Sequence, residues 1–267
     1  MIYVDGGVDT ATAQAVPIFD GYKNWFAPLG LNHQLAQDYP EKVIFCGGVD
    51  QIFHGGDGAG AEIERQIKEL NARSFKFYNA HVRGGWRCYD EDVAYPKYRK
   101  MLEHGVNVAQ FHKGGPLGQQ NMEELYCYDS QKDARDFPEM KFLIHHLVYP
   151  FLGQAFSIAS RFLNVYLVAS GVMKMSLIAP AMVAGWMVRI MAEVGSYKVI
   201  WGSEAPFHGG PDVYVEHFLE LQVPEEMQMG YGKPPMGLKF KKRILGLNFA
   251  EMMGIDVPAG GAARVAE

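Results

Sequence analysis

An α/β chain built on a parallel sheet, either covered on both faces or closed into a TIM-like (β/α)8 barrel incomplete at its first strand, follows from three features of these 267 residues. Short apolar runs alternate with amphipathic ones along the whole chain, which is the pattern of strand–helix–strand units. Seven apolar runs of strand length can be counted, one short of the eight that close such a barrel. Polar side chains recur where these runs end, as they do when all strands point the same way and build a site on one rim.

The elements can be justified in order. "TATAQAVP" (10–17) is the first visible strand, and a loop rich in aromatics leads to a helix around 32–37 that stops at Pro40. "KVIFCGGV" (42–49) is the second strand and "AGAEIERQIKEL" (59–70) an amphipathic helix. "SFKFYNAHV" (74–82) is the third strand, followed by the helix "PKYRKMLEHG" (96–105). "VNVAQFHK" (106–113), "MKFLIHHLV" (140–148), "NVYLVAS" (164–170) and "YKVIWGS" (197–203) are the fourth to seventh strands. "KFKKRILGLNFAEMMG" (239–254) closes the chain as a helix, giving one domain over 1–257 and a small, polar tail at 258–267 expected to fray.

Composition narrows the function. A chain that is 48% hydrophobic and 13% aromatic can bury a large core. The net charge of −5 is spread along the chain, and the lone basic cluster, "KFKKR" at 239–243, is too short for a nucleic-acid surface. Cys46, Cys88 and Cys127 have no CxxC spacing and cannot all pair, so a reducing cytoplasm is expected. The start "MIYVDGGVDTATAQ" has neither the basic nor the apolar segment of a signal peptide. The most apolar stretch, 172–195, is interrupted by Lys174, Pro180, Arg189 and Glu193. It reads as a buried or interface helix rather than a membrane span, its five methionines suiting soft packing or a subunit contact.

Chemistry concentrates on the strand ends. His81 follows the third strand, His112 ends the fourth, His145 and His146 end the fifth, Ser170 the sixth and Glu204 the seventh. Two imidazoles and a carboxylate from separate strands compose a reasonable shell for a divalent ion with a reactive water. Each residue alone reads more simply as a satisfied structural side chain. Strand alternation sends His145 and His146 to opposite faces, so at most one enters the site. "GGDGAG" (55–60) lacks the Lys-Ser/Thr of a phosphate loop and reads as a flexible helix entry.

Four segments carry a resemblance to the amidohydrolase-related family, which contains aminocarboxymuconate-semialdehyde decarboxylase and the γ-resorcylate-type decarboxylases. "FPEMKFLIHHLVYP" resembles its Phe-Pro-x-Leu-Lys segment leading into a strand that ends in His. "VIWGSEAPF" is similar to its Gly-Ser/Thr-Asp-x-Pro-Phe strand end. "KRILGLNFAEMMGI" resembles its closing helix, and "DVAYPKYRKMLEHGVNVAQFHKGGP" its helix and strand–His unit. The resemblance runs from about residue 3 to 257 in the family's order. It implies that His112 is a metal ligand and that His146, the tenth residue from Phe137, contacts the metal or its water and acts as ligand or general base. His145 then turns outward. Glu204 takes the place of an Asp that ligates metal or handles a proton. Asn79, His81 and Trp86 line the substrate pocket, and Lys113, Arg83 or Arg87 holds a substrate carboxylate.

Two departures accompany it. The family's first strand ends in His-x-His or Glu-x-His and supplies two metal ligands, yet "MIYVDGGVDTATAQAVP" matches the segment before the family's second strand. Glu204 is one methylene longer than Asp, and metal geometry is held to fractions of an ångström. The resemblance therefore implies a metal-dependent hydrolase or non-oxidative decarboxylase acting on a small carboxylated cyclic or aromatic compound. The divalent metal, zinc first and manganese or iron as alternatives, is expected to be weakly held or absent in this chain. A homo-oligomer, dimer or tetramer, is expected, with no nucleic-acid or membrane partner. The competing expectation is a truncated or degenerate member, catalytically inactive, that binds a small molecule or a sister subunit.

Overall fold

The computed structural model describes residues 7–19, 21–82, 84–205, 209–232 and 236–257, and the chain divides into two compact units. One unit is formed by 10–158 with 162–165; the other, among the described residues, by 7–9, 159–161 and 166–257. Seven strands lie among the described residues, and within each unit the strands pair in parallel.

The first unit contains β1 (Ala11–Gln14), β2 (Val43–Gly48), β3 (Ser74–Tyr78), β4 (Val108–His112) and β5 (Lys141–His145), each paired with its predecessor in chain order. Between them run α1 (Leu29–Asp38), α2 (Gly56–Leu70), α3 (Ala94–Glu103) and α4 (Ser130–Asp136). Residues opposite each other in a parallel ladder share a face, and the side-chain period along each strand is two. The register sets Lys76 opposite both Gly48 and Gln110, Tyr78 opposite His112, and Gln110 opposite Leu143. Lys76, Tyr78, Gln110, His112 and His145 therefore project from one polar face.

The opposite face is aromatic. Phe75, Phe77, Phe111 and Phe142 are completely buried there. Phe77 and Phe111 stack with centroids 5.3 Å apart, and Tyr98 from α3 meets Phe111, Phe142 and Phe137 edge-on at 6.3, 5.4 and 5.2 Å. Burial of each such ring contributes roughly 2–3 kcal/mol, so this face anchors the helices and leaves the polar face for chemistry. Gly47 is needed at the crossing of α2 over β2: a Cβ would come within 2.3 Å of Gln66 Oε1. Gln66 uses that approach to bond both sides of the neighbouring residue, accepting from Gly48 N at 3.0 Å and donating to Gly48 O at 2.9 Å.

In the second unit the part of β6 (Val165–Val168) from Tyr166 onward pairs with β7 (Val199–Ile200) through Leu167↔Val199 and Val168↔Ile200. The closing helical segment holds β7 by its backbone: Asn248 Nδ2 donates to Val199 O at 2.7 Å, and Trp201 N donates to Ile244 O at 2.8 Å. That segment is not one uniform helix over 239–254. It runs as Leu238–Lys242 and Asn248–Met253 around a wider π turn at Arg243–Leu247. The apolar stretch 172–195 also breaks, into turns at Val172–Lys174 and Met175–Ile178 and then a helix at Pro180–Arg189, where Pro180 occupies the first turn that tolerates it. No helix among the described residues is long and apolar enough to cross a membrane. The tail at 258–267, like residues 1–6, lies outside the described residues.

Candidate functional site

β4 and β5 end side by side, and their last residues differ in how they reach the polar face. His112 arrives there by strand alternation and is 7% exposed. Its ring lies nearly flat against Tyr78, with centroids 5.0 Å apart and planes at 21°. His146 arrives by a turn of the backbone. Beyond β5, His146, Leu147 and Val148 all take left-handed φ values of 62°, 50° and 56°, a conformation non-glycine residues rarely adopt. This swings the His146 ring onto His112, at 4.7 Å between centroids. The loop after β4 touches the same turn at Gly114, where φ is 99° and a Cβ would stand 2.6 Å from Tyr149 O. Only glycine allows that approach.

The hydrogen bonds give the proton positions. His112 Nε2 lies 3.0 Å from Gly115 O, which can only accept. A neutral His112 thus carries its proton on Nε2 and offers Nδ1 as the acceptor, and His146 Nε2 sits 3.0 Å from that Nδ1 as its donor. The direction runs from His146 through His112 to Gly115. Burial, reinforced by His146 and Lys76, holds the His112 pKa well below the ordinary histidine range, which keeps its ring neutral.

His145 does not turn outward. It lies in phase with Leu143 and Gln110, is 5% exposed, and bonds Gln110 Oε1 through Nε2 at 2.9 Å. The expectation that only one of the two adjacent histidines enters the site fails because the strand ends at His145. Alternation governs His145, whereas the left-handed turn redirects His146. Lys76, Tyr78 and Gln110 have no counterpart among the site residues expected from the sequence, and His145 was expected to turn away from them. The signal for Lys76 was present in "FKF", where one lysine between two apolar-face phenylalanines must point the other way.

The remaining expected residues separate. Lys113 follows His112 onto the opposite side and does not clamp a substrate: it is fully buried, donating to Asp129 Oδ2 at 2.8 Å and Glu124 O at 2.7 Å. Trp86 belongs to the aromatic face, edge-on to Phe77 at 6.0 Å with Lys97 Nζ 4.8 Å over its ring. Asn79 ties down that same loop, its Nδ2 donating to Trp86 O at 3.3 Å and its carbonyl accepting from Trp86 N at 3.1 Å. His81 is buried in the loop after β3, and Arg87 pairs with Glu123 at 3.1 Å on the rim. Arg83 lies outside the described residues.

Glu204 belongs to the second unit. Four residues past β7, it is exposed and takes a left-handed φ of 57°. Ser203 Oγ accepts from Ala205 N at 3.2 Å and braces this turn. Gly202 is pressed against Ser170, where a Cβ would meet the Ser170 Cβ at 2.8 Å. Beside it a shallow depression is lined by Met173, Lys174, Trp201, Ser203 and Tyr214. The rest of "GSEAPFH", Pro206 to His208, lies outside the described residues.

These donors do not fit a metal centre as they stand. A divalent ion needs imidazole lone pairs. His112 has none to offer while Nδ1 receives the His146 proton and Nε2 carries the proton given to Gly115. Among the described residues no group of three or more His, Cys, Asp or Glu is placed to hold a metal ion. An ion at His112 would first have to displace His146.

A sequence model of the amidohydrolase family matches residues 5–255. Among solved structures, a TIM-barrel protein from Bordetella bronchiseptica aligns with a TM-score of 0.65 and 16% identity, over 98% of this chain and 81% of that one. A 2,6-dihydroxybenzoate decarboxylase from Rhizobium aligns with a TM-score of 0.64 and 12% identity, over 95% and 86%. A dihydroxybenzoic acid decarboxylase from a Polaromonas species, solved with bound manganese and the inhibitor 2-nitroresorcinol, aligns with a TM-score of 0.54 and 14% identity, over 84% and 73%. These likenesses establish the fold, an α/β architecture of the TIM-barrel class. No curated protein sequence matches the chain.

Proposed function

Because the chain belongs to the amidohydrolase family, we propose that it acts on a small carboxylated cyclic or aromatic compound by proton transfer at the His146–His112 pair, as a hydrolase or a non-oxidative decarboxylase. Decarboxylation is the form we carry forward, supported by the reactions named for two of its structural neighbours. The observation that carries the reading is the directed hydrogen-bond chain from His146 Nε2 to His112 Nδ1, made at two adjacent strand ends. The Tyr78 ring against His112 suits a flat substrate, and the Lys76 ammonium on the same face suits an anionic one. In the step itself His146, carrying a second proton taken from solvent on Nδ1, delivers that proton to the ring carbon bearing the carboxylate and returns to its neutral form. The bond from that carbon to the carboxyl carbon breaks, CO2 leaves, and the pair is reprotonated from solvent. Glu204 is proposed to handle a proton, and His81 to border the substrate.

The three cysteines are free and buried, which supports a cytoplasmic setting. A dimer or tetramer is proposed, supported by the apolar Leu177 and Ile178, 43% and 75% exposed in the methionine-rich stretch. The second reading is a member that binds a small molecule or a sister subunit without turnover, and it draws on the engagement of both His112 ring nitrogens by His146 and Gly115.

The test is to incubate the full chain with 13C-carboxyl-labelled aromatic acids, 2,6-dihydroxybenzoate first, and follow labelled CO2 and bicarbonate by NMR. Release that falls about 100-fold or more in both His146→Asn and His112→Asn is expected for general acid–base groups. An acid that raises the thermal midpoint but releases no CO2 supports the binding member instead. An acid panel that is neither bound nor turned over sinks both readings.

A further inference from the structure

The polar face contains a hydrogen-bond hub that the proposed proton transfer does not use. Gln110, in the middle of β4 and 4% exposed, reaches every other strand of its unit. Its Oε1 accepts from Gln14 Nε2 of β1 at 2.9 Å and faces His145 Nε2 of β5 at 2.9 Å. Its Nε2 donates to Ser74 Oγ of β3 at 3.1 Å and to Cys46 Sγ of β2 at 3.3 Å. A buried amide costs free energy unless it is fully bonded, and a leucine would fill the same space more cheaply, as Leu143 does on the adjacent strand.

We propose that Gln110 is a positioning residue that holds His145, a third imidazole beside the His146–His112 pair, as its Nε2–H tautomer. This rests on the acid–base reading above. The physical reason is that a neutral imidazole has one donor and one acceptor nitrogen, and whichever is bonded decides what the other presents. With the carbonyl oxygen of Gln110 against Nε2, that nitrogen must carry the proton and Nδ1 the lone pair. The reversed amide would impose the opposite tautomer on His145 and reverse the bonds to Gln14, Ser74 and Cys46 together. The hub therefore has two internally consistent states, and the bonds described above are those of the Nε2–H state. His145 lies 5.6 Å from His146 between ring centroids, so a defined tautomer on one ring orders the polar surface offered beside the other.

The test is long-range 1H–15N correlation on the full chain labelled with 15N-histidine, at a pH where His145 is neutral. Wild type is expected to show His145 Nε2 as the protonated, pyrrole-type nitrogen and Nδ1 as the pyridine-type one. Gln110→Leu should convert this into a mixture of tautomers, and Gln110→Glu, whose carboxylate can only accept, should restore Nε2–H. With an acid that is turned over, Gln110→Leu should lower kcat about tenfold with little change in KM, and Gln110→Glu should recover part of it. A pyridine-type Nε2 in wild type overturns the proposal, and so does a tautomer unchanged in Gln110→Leu. If Gln110→Leu does not fold, the wild-type spectrum alone decides. The spectrum needs no turnover, so the failure of the decarboxylase reading and the failure of the Gln110 assignment are seen separately.

Discussion

Lys113 shows how a cation expected at a substrate rim becomes a structural part. Burial works against its ammonium, and the Asp129 charge at 2.8 Å more than offsets this, raising its pKa above the ordinary lysine value. Removing one partner leaves the other charge buried and uncompensated. Asp129→Ala is expected to cost about 3–5 kcal/mol in urea unfolding, and the double variant Lys113→Met/Asp129→Leu clearly less than that. The histidines carry the opposite liability. Burial, with His146 and Lys76 behind it for His112, and with Lys76 behind it for His145, holds both rings well below the ordinary value of 6.5. In the folded state they stay neutral where the unfolded chain binds protons. Stability is therefore present above pH 6.5 and lost as pH falls below it, by up to about 1.4 kcal/mol per pH unit for each ring. Urea midpoints at pH 7.5 and 5.5 should show this loss, and His145→Gln should reduce it. A wild-type midpoint that rises on acidification counts against neutral buried rings.

The strands and helices divide the work by face. In β3 and β4 alternate residues send Phe75, Phe77 and Phe111 to one side and Lys76, Gln110 and His112 to the other. Phe111 touches rings from β3, α3 and β5, so Phe111→Ala is expected to cost about 3–5 kcal/mol, read from the thermal or urea transition. Gly47→Ala should cost about 1–3 kcal/mol, because Gln66 and Phe75 close on that position from both sides. Elements with strong apolar periodicity, β1 to β6 and α2, could be read directly from the chain. α4 could not, because its sequence "SQKDARD" is polar throughout. The seventh strand was legible over 197–203 but is shorter in the structure, only Val199–Ile200, held by Asn248 from a distant segment.

For the molecule as a whole, the sharpest expectation concerns metal. With His112 occupied by His146 and Gly115, the purified chain is expected to retain clearly less than one equivalent of zinc, manganese or iron after dialysis, measured by plasma mass spectrometry. Stoichiometric metal that survives dialysis and is lost in His112→Ala would show that His146 gives way to the ion. Light scattering on the same sample is expected to report a dimer or tetramer.

The family, the parallel strand–helix order and the positions of His112, His146 and Glu204 at strand ends are local properties, written in short motifs and in alternation, and they are legible without coordinates. What each side chain faces is not local. Which neighbour a histidine meets depends on register between strands far apart in the chain, and on a left-handed turn that alternation does not foresee. Tertiary packing therefore brought His145 to the polar face beside Gln110, turned His146 onto His112, and buried Lys113 against Asp129. The charge and the ring types were in the sequence; their partners were set by where the strands ended.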